Sequence, residues 1–210
     1  MNLQQDMEDM LKNHKLVLAS ASPRRRELLK GLDFNFSVEP SPDNKEIYPE
    51  NLPWQQIPEF LARCKSDSFH RQLAANEILI TADTLVFLPD ANGEMQILGK
   101  PKDREDAFKM LTMLSGNSHK VLTGVVLRNA KGDTYSFTDS TEVTFNQLSD
   151  NLIDYYLYNY APFDKAGAYG VQEWIGYAAI SSINGSYFNV MGLPTEKLFQ
   201  ALLDFTKCEQ

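Results

Sequence analysis

Cysteine and histidine are scarce in this chain, and their positions exclude the common metal and disulfide frameworks. The 210 residues include two cysteines, Cys64 and Cys208, and three histidines. Neither set has the spacing of a zinc site, and two distant cysteines make no disulfide framework. We therefore expect a protein of a reducing cytoplasm.

Long apolar runs and excess positive charge are also missing. No apolar run approaches the roughly 20 residues that span a bilayer, and the amino-terminal stretch lacks the basic start and apolar core of a signal peptide. The formal net charge is −8, which disfavours general binding to DNA, RNA or anionic membranes. We expect the few basic residues to be concentrated where an anionic ligand binds.

Several familiar nucleotide and hydrolase motifs do not occur. The sequence has no G-x-x-x-x-G-K-[ST] loop, no G-x-G-x-x-G fingerprint and no G-x-S-x-G elbow. The remaining option for a metal is a hard cation held by carboxylates and substrate phosphates.

Helical and strand patterns alternate along the chain, which favours an α/β fold with a mixed sheet. We expect one domain over residues 1–210, with residues 1–14 as a peripheral extension. The patterns predict strands over 15–19, 34–39, 77–87, 121–128, 134–145, 178–183 and 187–191. They predict helices over 1–12, 23–30, 55–73, 104–114, 150–158 and 194–207, with a proline-rich loop over 40–53.

The most informative stretch is residues 16–32, where a short apolar strand is followed by a tight turn and a helix. Pro23 suits the first helical position, and three arginines, Arg24, Arg25 and Arg26, follow it. A helix start carries free N–H groups and positive dipole charge, so it favours anions. Three arginines there are unfavourable until something negative neutralises them. We infer a polyphosphate ligand.

Asp83 interrupts an apolar strand and is the first candidate for chemistry. A buried carboxylate is costly unless it is paired or binds a metal. The alternative is an Asp at the strand end that caps a backbone N–H in a turn. The arginine-rich helix start favours the functional interpretation.

Other candidates are weaker when each is taken alone. Lys100 follows a predicted strand between Gly99 and Pro101, and Lys65 lies in a predicted helix; both are by default surface lysines. Residues 163–172 contain glycines that permit close approach to a ligand, and Gln172 can both donate to and accept from a base edge. A tight turn between a helix and a strand is the alternative for this segment. The tyrosines of the preceding helix indicate packing, or a subunit interface, rather than base stacking: Tyr155, Tyr156, Tyr158 and Tyr160.

Five blocks, in order, resemble the Maf family of nucleoside triphosphate pyrophosphatases. They are SASPRR at 20–25, TADTLV at 81–86, LGKP at 98–101, DKAGAYGVQ at 164–172 and INGSYFNVMGLP at 183–194. The resemblance implies an elongated mixed sheet flanked by helices, with a central cleft, related to inosine triphosphate pyrophosphatases. It implies hydrolysis between the α- and β-phosphates, a divalent Mg²⁺ or Mn²⁺ ion, and a house-cleaning or cell-division role. A homodimer is compatible with it.

Residue by residue, the resemblance assigns roles to positions of this chain. Asp83 corresponds to the catalytic acid–base, near the metal, and Glu46 to a loop glutamate that would also lie near the metal. The phosphate-site positions are Ser20, Arg24, Arg25, Lys65 and Lys100. Three positions separate the family's branches, and here they are Arg24, Thr84 and Gln172, which resembles the dTTP/UTP branch. The family commonly has Glu where this chain has Cys64, so the resemblance implies a reduced metal affinity here.

Two rival functions remain open from the sequence. A nucleotidyltransferase also begins with strand, loop and arginine, although its loop is normally rich in glycine. A non-enzymatic nucleotide sensor linked to septum formation is the other, and retention of Asp83, Lys65 and Lys100 argues against it.

Overall fold

Strands and helices alternate as the sequence predicts. A computed structural model describes residues 13–40 and 47–207. The strands in these ranges are β1 Lys15–Leu18, β2 Phe36–Val38, β3 Glu77–Pro89, β4 Met95–Leu98, β5 Ser118–Asn129, β6 Thr134–Phe145 and β7 Ile180–Asn184. The α-helices are α1 Pro23–Lys30, α2 Ile57–Asp67, α3 Arg104–Leu114, α4 Asp150–Tyr160, α5 Trp174–Ala179, α6 Tyr187–Met191 and α7 Thr195–Lys207.

The seven strands form one mixed sheet in the order β2-β1-β3-β5-β6-β7, with β4 paired to β3. Strand β1 runs parallel to both β2 and β3. Strand β4 is antiparallel to β3, and β7 is antiparallel to β6. The prediction of an α/β fold with a mixed rather than purely parallel sheet is therefore confirmed.

Contacts divide the described chain into two compact units. The first unit contains the residues up to Asp83, then Thr123–Asp139, and those from Gly192 onward. The second contains Thr84–Leu122 and Ser140–Met191. Strands β3, β5 and β6 each contribute residues to both units, since the divisions fall inside them.

In the first unit, apolar residues of β1 and β3 pack with the segment that follows α2. Val17, Ala19 and Leu79 form a buried cluster with Phe69. Just beyond, the Arg71 guanidinium donates to the carboxylates of Glu39 and Glu77, with N–O distances of 2.6–3.1 Å. These bonds lower the pKa of both carboxyl groups and link the end of β2 to the start of β3.

In the second unit, α3 and α4 cover a larger apolar core. Helix α3 starts where the sequence predicts, because the Asp103 carboxylate accepts from the backbone N–H of Asp106 at 2.9 Å. Leu111 and Leu114 of α3 are fully buried with Phe145 of β6 and Tyr156 of α4. Of the four predicted packing tyrosines, Tyr156 alone is buried, whereas Tyr155, Tyr158 and Tyr160 are exposed.

The prediction of a strand over 187–191 is wrong, because this segment is helix α6. A short, mostly apolar run after the turn at Asn184-Gly185 suggested a strand, but Ser186 precedes this run and its hydroxyl accepts from the backbone N–H of Asn189 at 3.2 Å. The Asn189 amide is fully buried and donates to the Val121 carbonyl and the Thr141 hydroxyl, each at 3.0 Å. A polar group at the buried position, bonded on both sides, outweighs the strand pattern.

Several element boundaries also differ from the prediction. The predicted strand over 178–183 begins at Ile180, because residues 174–179 form helix α5. The predicted helix over 55–73 ends at Asp67. The predicted helix over 1–12 and the loop residue Glu46 lie outside the described residues. Within the described ranges, no helix has the length and apolar character needed to cross a bilayer.

Candidate active site

The start of α1 has the chemistry that the sequence predicts. The Ser22 hydroxyl caps the helix by accepting from the backbone N–H of Arg25 at 3.4 Å, and Pro23 is the first helical residue. The first turn contains arginines and no acidic residue. Arg24 is half-buried, while Arg26 is exposed. The helix dipole and the guanidinium charge both favour an anion at this position.

Arg25 connects the start of α1 to other candidate residues. Its Nε donates to the Gly192 carbonyl at 2.8 Å, and a terminal nitrogen donates to the Ser20 hydroxyl at 3.4 Å. The pKa of the Arg25 guanidinium is lowered, mainly by desolvation. Asp83 acts in the opposite direction, and Arg24 lowers the pKa further. Asp83 is therefore close enough to act electrostatically on the helix start, as a shared phosphate site requires.

Asp83 lies inside β3, not at its end, and is 4% exposed. Its Oδ1 accepts from the Lys65 ammonium. Its Oδ2 is buried and has no hydrogen-bond partner among the described residues. The turn-capping alternative for Asp83 is therefore wrong. The default of a surface lysine is wrong for Lys65, which is half-buried and pairs with a buried carboxylate.

Packing of α2 against the sheet brings Lys65 to Asp83. Residues two apart on a strand share a face, so Thr81 and Asp83 both face α2. The Thr81 hydroxyl donates to the Ala62 carbonyl at 2.8 Å, one helical turn before Lys65. At Gly124 of β5, an added Cβ would lie 2.2 Å from the Glu59 backbone nitrogen. The lack of a side chain at Gly124 thus lets α2 lie directly on the strand.

The other predicted residues belong to the second unit. Lys100 is exposed and follows Gly99, whose carbonyl accepts from the Gly167 N–H at 3.1 Å. This bond places the Lys100 backbone beside the glycine block. Thr84 is half-buried and, as the residue after Asp83 in β3, projects to the opposite face of the strand.

Gln172 occupies a four-residue turn. The Gly170 carbonyl accepts from the Glu173 N–H at 3.0 Å, which closes the turn with Gln172 in its third position. Gln172 is half-buried, and its Oε1 is buried without a hydrogen-bond partner in the described part of the chain. The alternative interpretation of this segment was a turn between a helix and a strand. It is wrong about the element that follows the turn, which is helix α5.

Sequence reasoning missed several residues that contact the candidate site. Gly192 accepts the Arg25 bond through its carbonyl and has φ +114°, a conformation that favours glycine. It lies in the 183–194 block, but a backbone acceptor leaves no side-chain signal. Thr81 and Gly124 act on α2 through its backbone, which a linear pattern does not reveal.

Comparison with known proteins decides the family. The family model described as Maf-like protein matches residues 15–205. The chain belongs to this family. A dTTP/UTP pyrophosphatase of Porphyromonas gingivalis is 49% identical over 201 residues, which cover 95% of this chain and 98% of that protein. A dTTP/UTP pyrophosphatase of Flavobacterium psychrophilum is 50% identical over 194 residues, covering 92% and 96%.

A solved structure agrees with the fold. The Staphylococcus aureus Ham1 protein superposes with a TM-score of 0.51 at 17% identity, covering 93% of this Maf-like chain and 100% of the other. At that identity the similarity concerns the fold alone.

The residues present fit a divalent metal held mainly by oxygen. Asp83 presents a buried oxygen without a partner, although the described residues contain no group of three potential ligands. Mg²⁺ is commonly bound by one or two carboxylates and by substrate phosphates, so the single carboxylate of Asp83 is compatible with such an ion. Burial raises the pKa of the Cys64 thiol, so Cys64 is a poor ligand for such an ion.

Proposed function

We propose that this chain is a nucleoside triphosphate pyrophosphatase that hydrolyses dTTP and UTP to the monophosphate and pyrophosphate. Its relatives from Porphyromonas gingivalis and Flavobacterium psychrophilum bear that name at 49% and 50% identity. The observation that carries the proposal is the arrangement of Lys65, Asp83 and Arg25. In this arrangement the buried Asp83 carboxylate has one oxygen without a partner among the described residues. It lies with two cations of the kind that bind phosphate, Lys65 and Arg25.

The cations of the first unit bind the phosphates in this proposal. A triphosphate carries about four negative charges near neutral pH. Arg24 at the start of α1 binds phosphate oxygens, since guanidinium donates in a planar fork. Arg25 is held in place by Gly192 and Ser20. Lys65 adds a compact charge that stabilises negative charge developing in the transition state. Lys100 contributes a further cation from the end of β4.

Asp83 acts on the attacking water. Lys65 occupies Oδ1, so Oδ2 is the oxygen that orients the water and accepts its proton. The water oxygen bonds to phosphorus as the bridging bond between the α- and β-phosphates breaks, and pyrophosphate leaves.

Asp83 would hold the Mg²⁺ or Mn²⁺ ion together with substrate phosphates, and Glu46 would be the second carboxylate. The ion would polarise the phosphoryl group and offset its charge.

Base selection falls to Gln172, whereas Thr84, the other position that the resemblance assigns to it, projects to the face of β3 opposite Asp83. The buried Gln172 Oε1 is a hydrogen-bond acceptor that has no donor among the described residues. Thymine and uracil offer an N3–H donor, whereas cytosine has only an acceptor at that atom. A hydrogen-bonding site rejects the wrong partner strongly, because a mismatch leaves buried polar groups unpaired.

A panel of nucleoside triphosphates tests the proposal. With Mg²⁺ or Mn²⁺ and pyrophosphate release as readout, dTTP and UTP should be hydrolysed well ahead of CTP, ATP and GTP. A preference for purines contradicts the proposed substrates. Nucleotide binding without turnover would favour a sensor, and consumption of a second substrate would favour a nucleotidyltransferase.

A further inference from the structure

The turn that carries Gln172 is held at both ends by one buried tyrosine hydroxyl. Tyr156 of α4 is fully buried. Its hydroxyl accepts from the backbone N–H of Gly170 at 3.0 Å and donates to the Glu173 carboxylate. Since Gly170 and Glu173 are the first and last residues of the turn, Tyr156 joins its two ends.

A buried lysine completes this network. Lys165 is 8% exposed, and its ammonium lies 3.0 Å from Oε1 of Glu173. It also donates to the Asp164 carboxylate at 2.7 Å. Burial first, and Glu173 second, raise the pKa of the Tyr156 hydroxyl, so it stays protonated and remains a donor. Both carboxylate oxygens of Glu173 thus have partners, Lys165 at Oε1 and Tyr156 at Oε2.

The backbone around Gln172 is also closely packed. An added Cβ at Gly170 would lie 2.8 Å from Cδ of Glu173 and 3.0 Å from Cε of Lys165. An added Cβ at Gly176 of α5 would lie 1.8 Å from the Val171 carbonyl oxygen. The residues beside Gln172 therefore have no room to shift without breaking the polar network.

We propose that Tyr156, Glu173 and Lys165 are positioning residues that fix the direction of the Gln172 side chain and thereby set discrimination between nucleotide bases. The inference rests on the proposed function of Gln172. A packing role would need only the tyrosine ring. A buried hydroxyl and a buried ammonium are costly unless they are paired, and the Tyr156 hydroxyl and the Lys165 ammonium both pair with Glu173 at the end of this turn.

Tyr156→Phe tests the inference, because it keeps the ring and removes both hydroxyl bonds. The kcat/KM ratio of dTTP over dCTP should fall by about tenfold, the size expected for a buried hydrogen bond to a charged group. The loss should come mainly through the KM of dTTP. In the Gln172→Ala background, Tyr156→Phe should cause little further loss of discrimination, since the hydroxyl acts through Gln172.

Tyr169→Phe is the matched control. It removes a second buried tyrosine hydroxyl of the same unit, whose partner is His119 at 2.8 Å rather than the turn, so discrimination should be unchanged. Glu173→Gln is the second variant, since it keeps an acceptor for Tyr156 but loses the pair with Lys165. It should give a smaller loss of discrimination than Tyr156→Phe.

The outcomes separate this inference from the function on which it rests. If wild type hydrolyses neither dTTP nor UTP, or Gln172→Ala leaves discrimination intact, the proposed base recognition fails and the inference with it. If Gln172→Ala lowers discrimination but Tyr156→Phe does not, the inference alone is overturned. Equal losses in Tyr156→Phe and Tyr169→Phe, or additive losses in the double variant, also overturn it.

Discussion

His119 is a titratable side chain held in the apolar core of the second unit. It is 1% exposed, its Nε2 lies 2.8 Å from the Tyr169 hydroxyl, and its ring contacts the ring of Phe145. Burial lowers its pKa to about 3. The imidazole is therefore neutral in the folded protein over a range in which it is protonated in the unfolded chain.

The pH dependence of stability follows from this difference. Between the ordinary His pKa of 6.5 and about 3, the unfolded state binds a proton that the folded state does not. Stability from His119 is thus complete above pH 6.5 and is lost as the pH falls through this window, by up to about 1.4 kcal/mol per pH unit. Denaturant unfolding of wild type and His119→Gln from pH 4 to 8 measures it. The variant should show a shallower slope, and identical slopes would contradict the assignment.

Single residues differ in how well the sequence predicts their roles in the site. Asp83 could be predicted, because a carboxylate inside an apolar strand requires a partner. Lys65 could not be predicted from its own helix, because the pattern of α2 does not reveal which face meets β3. Only the family resemblance pointed to it. The carbonyl of Gly192 has no side-chain signature at all.

At the scale of elements, the site depends on how α2 lies on the sheet. Contacts at Gly124, at Thr81 and at Asp83 hold it there. The sequence predicted α2, but it could not predict this contact. Helix α6 was predicted as a strand, because the bonds that hold Asn189 come from Val121 and Thr141, which are distant in the sequence.

Gly124→Ala tests the role of this contact. The new methyl group would overlap the backbone of Glu59, so α2 must shift and carry Lys65 away from Asp83. Stability should fall by about 1–3 kcal/mol, as for other overpacked sites, and kcat should fall at temperatures where the variant remains folded. Thermal unfolding and pyrophosphate release under the same conditions separate the two effects. Unchanged kcat in the folded variant would show that Lys65 needs no such placement.

At the scale of the whole molecule, one unit of this acidic chain contains both the proposed phosphate-binding cations and the buried carboxylate. The net charge is −8, yet Arg24, Arg25 and Lys65 all lie in the first unit with Asp83. The predicted base-contacting residues Thr84 and Gln172 belong to the second unit. The sequence predicted the fold class and the order of elements, whereas this distribution of roles needed coordinates.

The central claim is that Asp83 acts on water while the fold does not depend on its charge. Pyrophosphate release from dTTP by Asp83→Asn tests it most directly, with Asp139→Asn as control, because Asp139 is also buried in the first unit and pairs with a lysine, Lys197. Both variants should fold, with circular dichroism like that of wild type. Turnover should fall by about a hundred- to ten-thousand-fold in Asp83→Asn and stay near wild type in Asp139→Asn. Near-normal turnover by folded Asp83→Asn would contradict the account.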